Sequence, residues 1–295
     1  MDKLDEASAR AYEQMPYGAN AHPNAHPGRF AVLARLHGID APPLDGARVL
    51  ELGCASGAHI AACAVAFPKA SFVGVDRTVK QIERGREMLA GAGLTNVDLR
   101  AMDIMDVGTT LGTFDYIIVH GILSWVPENV QDEILRICTR SLAPRGIAYV
   151  SFNAYPGWHT RGIVRDALFF HLRGVEDAQA RVTGARAFLE WWKTRLVESG
   201  AYGTGIIREL ESIEKAPDHY FVHDHLGIVN LPLHFRTFVE RAQATGLTYI
   251  CESEPRSSAL HGHLAAAREA RAAAPDDRIA AEQYFDFLTN SSFRR

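Results

Sequence analysis

The chain has 295 residues, 47% of them hydrophobic, enough to bury a full-sized core, so disorder is not the default reading. Lys and Arg number 31 against 35 Asp and Glu, a net charge of −4, and no global basic field exists to hold a nucleic-acid backbone. The four cysteines, Cys54, Cys63, Cys138 and Cys251, form no C-x-x-C pair, a pattern of reduced thiols. The start, Met1-Asp2-Lys3-Leu4-Asp5-Glu6, is too charged for a signal peptide. The longest apolar run, from 116 to 126, is broken by His120 and Ser124 and is too short to span a bilayer. These features predict a cytoplasmic protein with no membrane or nucleic-acid partner, and they leave the oligomeric state open.

Residues 1–40 are expected to form an N-terminal helical cover. Arg48 to Leu52 then reads as a buried strand that runs through a turn containing Gly53 and Gly57 into a helix. A second apolar strand, Ser71 to Asp76, ends on a carboxylate, the position from which an acid accepts from both ribose hydroxyls of a nucleotide cofactor. No G-x-G-x-x-G is present, and a pyrophosphate would want the loop amides free. The first strand ends instead on an acid, Glu51, which suits a cofactor that carries an amine and a sulfonium, and S-adenosylmethionine fits that description.

Further along, 78–91 has helical spacing, 96–103 alternates like a strand, 114–120 is a nearly uniform apolar run, Pro127 opens a helix to about Leu142, and 146–153 is another strand. The alternation predicts a parallel sheet covered on both faces, a doubly wound Rossmann-like α/β core over 41–155. Between 156 and 230 only helical patterns occur, such as 161–172 and 181–198. They predict a helical lid inserted after the fifth strand, at the carboxyl edge where ligands bind. The rhythm resumes over 231–295, with a helix at 233–246, a strand at Leu247–Cys251, C-terminal helices, and a last antiparallel strand within 292–295.

Several longer motifs carry a resemblance. Met15-Pro16-Tyr17, His26-Pro27, Glu51-Leu52-Gly53-Cys54, Phe114-Asp115-Tyr116-Ile117-Ile118, the run from His120 to Pro127 and the run from Asn153 to His159 resemble the class I methyltransferases that carry a methyltransferase regulatory domain, among them bacterial protein-lysine methyltransferases. The resemblance runs from about residue 12 to the C-terminus. Ala55 stands where many members have glycine, and the larger members continue into a further C-terminal region. It implies S-adenosylmethionine as cofactor and a lysine side chain as acceptor.

On that frame Gly53 and Gly57 would let the backbone approach the cofactor, or serve only as turn residues. Glu51 would bind the cofactor ammonium through water, or simply cap the loop. Asp76 would hold the ribose, or cap the helix ahead of Thr78. Asp103 with Ile104 would border the adenine, against the alternative of a solvent-facing strand end. His120 would be a general base or a wall of the methionine pocket. Trp125 would face the sulfonium or the acceptor, or be a core aromatic. Tyr17, Asn153, Tyr155, Trp158 and His159 would line an aromatic acceptor pocket, the last two alternatively forming a hinge.

His22 and His26, and His223-Asp224-His225, look like metal ligands but lack a third partner at diagnostic spacing, so no metal is expected and structural contacts between lid and sheet are the simpler account. Arg165, Arg173 and Arg186 are expected on a solvated helical face. The expected reaction is methylation of an amine, borne by a protein lysine or a small molecule. One alternative is a small-molecule or secondary-metabolite enzyme, for example one in which the cofactor's own amine attacks its γ-carbon to give azetidine-2-carboxylate and methylthioadenosine. The other is a non-catalytic cofactor-binding module whose lid is an interaction surface.

Overall fold

The computed structural model describes Gly18 and residues 20–196, 200–254 and 263–295. Tyr17 lies outside the described residues. Five strands, β1 (Arg48–Leu52), β2 (Ser71–Asp76), β3 (Val97–Ala101), β4 (Phe114–Val119) and β5 (Leu142–Val150), form one parallel sheet in the order β3-β2-β1-β4-β5. Alternate side chains feed two cores: Val49, Phe72, Leu99 and Ile118 lie in one, and Leu50, Val73, Ile117 and Val119 in the other. Burial on both faces is why these strands are apolar throughout rather than alternating.

The first core is completed by α1 (Pro27–Leu36), α2 (Ala58–Ala66) and α3 (Val79–Gly91), through Phe30, Ile60 and Ile82. The second takes Ile134 and Ile137 from α4 (Glu128–Ser141), and Phe235 and Val239 from a helix described below. Strand order reverses between β1 and β4, so their carboxyl ends open a crevice, the usual ligand position in such sheets.

After β5 the chain enters β6 (Phe152–Asn153) and then a compact helical unit, residues 156–230. Its helices, α5 (Gly157–His171), α6 (Ala178–Lys193), α7 (Ala201–Glu214) and α8 (Asp218–Leu226), share a core of Val164, Leu168, Leu189, Ile206, Leu210 and Phe221. The chain returns to the sheet unit with α9 (Phe235–Ala244), α10 (Leu264–Ala273), α11 (Arg278–Thr289) and β7 (Phe293–Arg294). Antiparallel β7 pairs with β6, so the expected last strand is present.

Two expectations are corrected. Leu247–Cys251 is not a strand; the Leu247 N–H closes the end of α9 on Ala242 O, and the segment's apolar residues pack separately, Leu247 and Tyr249 on one core and Ile250 on the other. Its hydrophobicity reports burial and not ladder pairing. Arg165 is not solvated: it is buried, its guanidinium donates to the carbonyls of Asp224 (2.8 Å) and Gly227 (2.6 Å) at the end of α8, and burial lowers its pKa to about 10. The C-terminus of a helix leaves carbonyls unpaired, and this arginine takes them. Arg186 pairs with Asp218, and Arg173 lies over the Phe170 ring. His223, Asp224 and His225 are buried within α8.

One buried charge cluster was not legible in the sequence. Arg294 is fully buried, meets Asp286 at 2.9 Å, Glu282 at 2.7 Å and Glu252 at 3.0 Å, and sits over the Phe235 ring. Burial alone would lower its pKa, but the three carboxylates outweigh burial and raise it.

Candidate active site

β1 delivers Glu51 to the crevice, and the chain then turns at Gly53 and Gly57, both in the left-handed region (φ +70° and +72°). A Cβ at Gly53 would lie 2.3 Å from Ile122 Cδ1, and one at Gly57 2.7 Å from Leu99 Cδ2, so each site is closed to side chains by space as well as by φ. Gly53 and Cys54 both donate N–H to Val75 O, which ties the loop to the end of β2. Ala55 also has φ +49°, a conformation that strains an L side chain. Ala55→Gly is expected to stabilise the protein by about 1 kcal/mol in urea unfolding, and unchanged or lower stability would show that the loop bears no strain there.

Asp76, at the end of β2, spends one lobe of each oxygen on the backbone. Oδ2 accepts from the Ala55 N–H (2.9 Å) and Oδ1 from the Thr78 N–H (2.8 Å). The carboxylate thus clasps the glycine loop to the start of α3, and each oxygen keeps a second lone-pair direction for another donor. The bond to the Thr78 N–H is the structural alternative expected ahead of α3, and it leaves the other lone pairs open. Asp103 Oδ1 caps a short 3-10 turn, Ile104–Asp106, through the Met105 N–H. Ile104 is partly buried against the second core.

Glu51 is the outlier. It is 4% exposed, its Oε2 has no hydrogen-bond partner among the described residues, and burial, with Asp76 second, raises its pKa well above the carboxylate range. A buried carboxylate oxygen without a donor is costly unless something cationic meets it. The chemistry of this donor set, a lone buried acid beside a glycine turn with a second acid on the neighbouring strand, fits the ammonium and ribose of S-adenosylmethionine.

At the end of β4, His120 Nδ1 lies 2.9 Å from the Tyr149 hydroxyl, and burial, then His22, His59 and Arg295, lower its pKa to about 3. An imidazole with so low a pKa is neutral near pH 7 and a weak base. The Gly121 N–H donates to Ser151 Oγ (2.8 Å), and the Asn153 N–H to Ser124 Oγ (2.8 Å). Trp125 closes a 3-10 turn over Leu123–Trp125. Asn153 and Tyr155 bracket Leu233: its N–H donates to Asn153 O, and Tyr155 N–H donates to Leu233 O, each at 3.0 Å. The Tyr155 ring faces His234 at 5.3 Å.

The sheet unit therefore brings Glu51, Gly53, Gly57, Asp76 and His120 to the carboxyl edge of adjacent strands. Trp158 and His159 belong to the helical unit, where Trp158 is buried against the Arg161 guanidinium and His159 is exposed. Sequence reasoning missed Ile122 over the glycine turn, Tyr149 and Ser151 beside His120, and the contact of His22 with His120. Ile122 lay within the run from His120 to Pro127, and His22 was singled out only as a metal-ligand candidate. Among the described residues no group of three or more His, Cys, Asp or Glu side chains is arranged to hold a metal, and no helix is long and apolar enough to cross a membrane.

A glycine turn, two strand-end acids and a 3-2-1-4-5 parallel sheet define a Rossmann-like methyltransferase fold. The chain belongs to the class I methyltransferases that carry a methyltransferase regulatory domain. A family described as "Methyltransferase domain" matches residues 43–172, and one described as "Predicted methyltransferase regulatory domain" matches 217–295. The structure of PKMT2 from Rickettsia typhi in complex with AdoHcy superposes with a TM-score of 0.82 at 32% identity, over 95% of this chain and 53% of that one. Uncharacterized protein RP789 of Rickettsia prowazekii (strain Madrid E) is 35% identical over 98% of this chain and 52% of its own length. Uncharacterized protein RP028 of the same organism is 32% identical over 79% of this chain and 94% of its own length. The chain thus spans about half the length of RP789 and of PKMT2.

Proposed function

We propose that this chain binds S-adenosylmethionine at the carboxyl edge of β1, β2 and β4 and methylates an amine, by its likeness to PKMT2 a lysine side chain. The observation that carries the reading is the buried Glu51 oxygen beside the glycine turn, without a donor among the described residues. Bound there, the cofactor would supply an electrophilic methyl group on a sulfonium. Glu51 takes the ammonium of the methionyl moiety in a charge-assisted hydrogen bond, and Asp76 takes the ribose on its remaining lone pairs. His120, neutral, walls the methyl position without competing for the proton. Asn153 and Tyr155 line the acceptor side, where desolvation keeps an entering amine neutral and alignment with the methyl does most of the rest. Asp103 and Ile104 border the adenine.

Incubation with S-adenosylmethionine, with and without a lysine-containing peptide or a small primary amine, followed by mass spectrometry of the nucleoside, tests the reaction. S-adenosylhomocysteine formed only with acceptor supports methyl transfer. Methylthioadenosine released without acceptor would replace it by intramolecular cyclisation, and binding without turnover would leave a silent cofactor module.

Glu51→Gln separates the ligand role from a structural one. A native-state pKa raised above the unfolded value means that the folded form binds the proton more tightly, so stability is lost as pH rises from about 4.3 towards the folded value. The glutamine variant should lose that pH dependence and be at least as stable as the parent at pH 7. Its affinity for S-adenosylmethionine should fall about 10- to 100-fold, the worth of a hydrogen bond to a charged group. Calorimetric binding equal to the parent's would remove Glu51 from the site.

A further inference from the structure

Residues 20–26 run as a strap ahead of α1: extended at His22, then a 3-10 turn at Pro23–Ala25, then His26, which caps α1 through the Gly28 N–H. One side chain of the sheet unit ties both ends of that turn. His59, the second residue of α2 and 4% exposed, accepts the His22 N–H on Nδ1 at 3.1 Å, and its Nε2 lies 3.1 Å from Ala25 O. A carbonyl only accepts and a backbone N–H only donates, so the tautomer follows: Nε2 carries the proton and Nδ1 the lone pair. A cleft of about 300 Å³ runs along this junction, lined by Ala21, His22, Arg29, His59 and Cys63 among others, so apolar packing does not by itself seal it.

The consequence reaches the proposed site. With its backbone held by His59, His22 lays its own ring 4.0 Å, centroid to centroid, from that of His120 at the end of β4. His59 stands two positions after Gly57, in the first turn of the helix that follows the glycine turn. The ring that ties the strap thus sits on the same short segment that would receive the cofactor.

We propose that His59 is a positioning residue: as the neutral Nε2–H tautomer it holds the strap on α2, which sets the His22 ring over His120 and closes the β4 edge of the site. The inference rests on the S-adenosylmethionine reading given above. An imidazole with both nitrogens engaged by backbone groups is hard to replace. Leucine keeps the bulk and loses both bonds; asparagine presents an acceptor at the position of Nδ1 and should restore the bond that fixes His22.

Hydrogen exchange of the His22 amide and calorimetry with S-adenosylhomocysteine, on the full chain and its variants, test this together. In His59→Leu the His22 amide should exchange at least about 10-fold faster and the dissociation constant should rise about 10-fold, whereas His59→Asn should stay within about 3-fold of the parent in both. Unchanged exchange in His59→Leu overturns the tie, and faster exchange with unchanged affinity overturns the positioning role. His22→Ala serves if His59→Leu does not fold. It keeps the backbone bond and removes the ring from His120, so affinity should drop about 5-fold with exchange still slow, and unchanged affinity overturns the proposal. A parent protein that fails to bind S-adenosylhomocysteine overturns the cofactor reading and the positioning role with it, while exchange at His22 still reports on the tie alone.

Discussion

Asp76→Ala is expected to weaken S-adenosylmethionine binding by about 100-fold or more, because it removes two things at once. The first is the acceptor that the proposed function assigns to the ribose hydroxyls. The second is the clasp between the Ala55 N–H and the Thr78 N–H, which holds the glycine turn against the start of α3. Asp76→Asn retains one carbonyl oxygen and should lose less, so the ranking of the two variants separates charge from geometry. Calorimetry decides the matter: wild-type affinity in Asp76→Ala would sink the site assignment, whatever the acceptor proves to be.

Arg294→Met is expected to cost about 3–5 kcal/mol of folding stability, the range for removing one partner of a buried ionic cluster. Methionine fills much of the volume, so the loss would come from Asp286, Glu252 and Glu282, left close together with no cation between them. The cost should shrink as pH is lowered, because carboxylates without a counter-charge hold their protons to higher pH and become neutral first. Arg294→Lys should recover little, since an ammonium cannot reproduce the fork on Asp286 together with the bond to Glu282 O. Urea unfolding at pH 7 and pH 5 measures both effects; a cost under 1 kcal/mol at pH 7 would mean that the cluster contributes nothing net.

The clearest sequence signals are those that a residue carries by itself or with its chain neighbours. Each of β1, β2 and β4 is an apolar run because a parallel strand covered on both faces meets no water, and that is visible in five or six consecutive letters. Gly53 and Gly57 are legible because a positive φ beside a strand end calls for glycine, and Ala55 shows the limit of the rule, since it adopts the same region with a methyl group. Glu51 and Asp76 are legible as strand-end acids. Arg165 was misread because helical spacing says which side of a helix is apolar but not what faces a long cation; its partners, Asp224 O and Gly227 O, lie on another helix of the unit. Leu247–Cys251 was misread because a segment that packs on two cores has the composition of a strand without a ladder partner.

The βαβ rhythm, the family and the two acids at the strand ends are readable from the chain alone, since each rests on short-range pattern and on the chemistry of single residues. Three features come from packing alone: Glu51 keeps a buried oxygen with no donor among the described residues, Asp76 clasps the loop, and Arg294 gathers Glu252, Glu282 and Asp286. The physical reason is common to all three. Burial, desolvation and pairing depend on which residues far apart in the chain are folded into contact, and no local period encodes those distances.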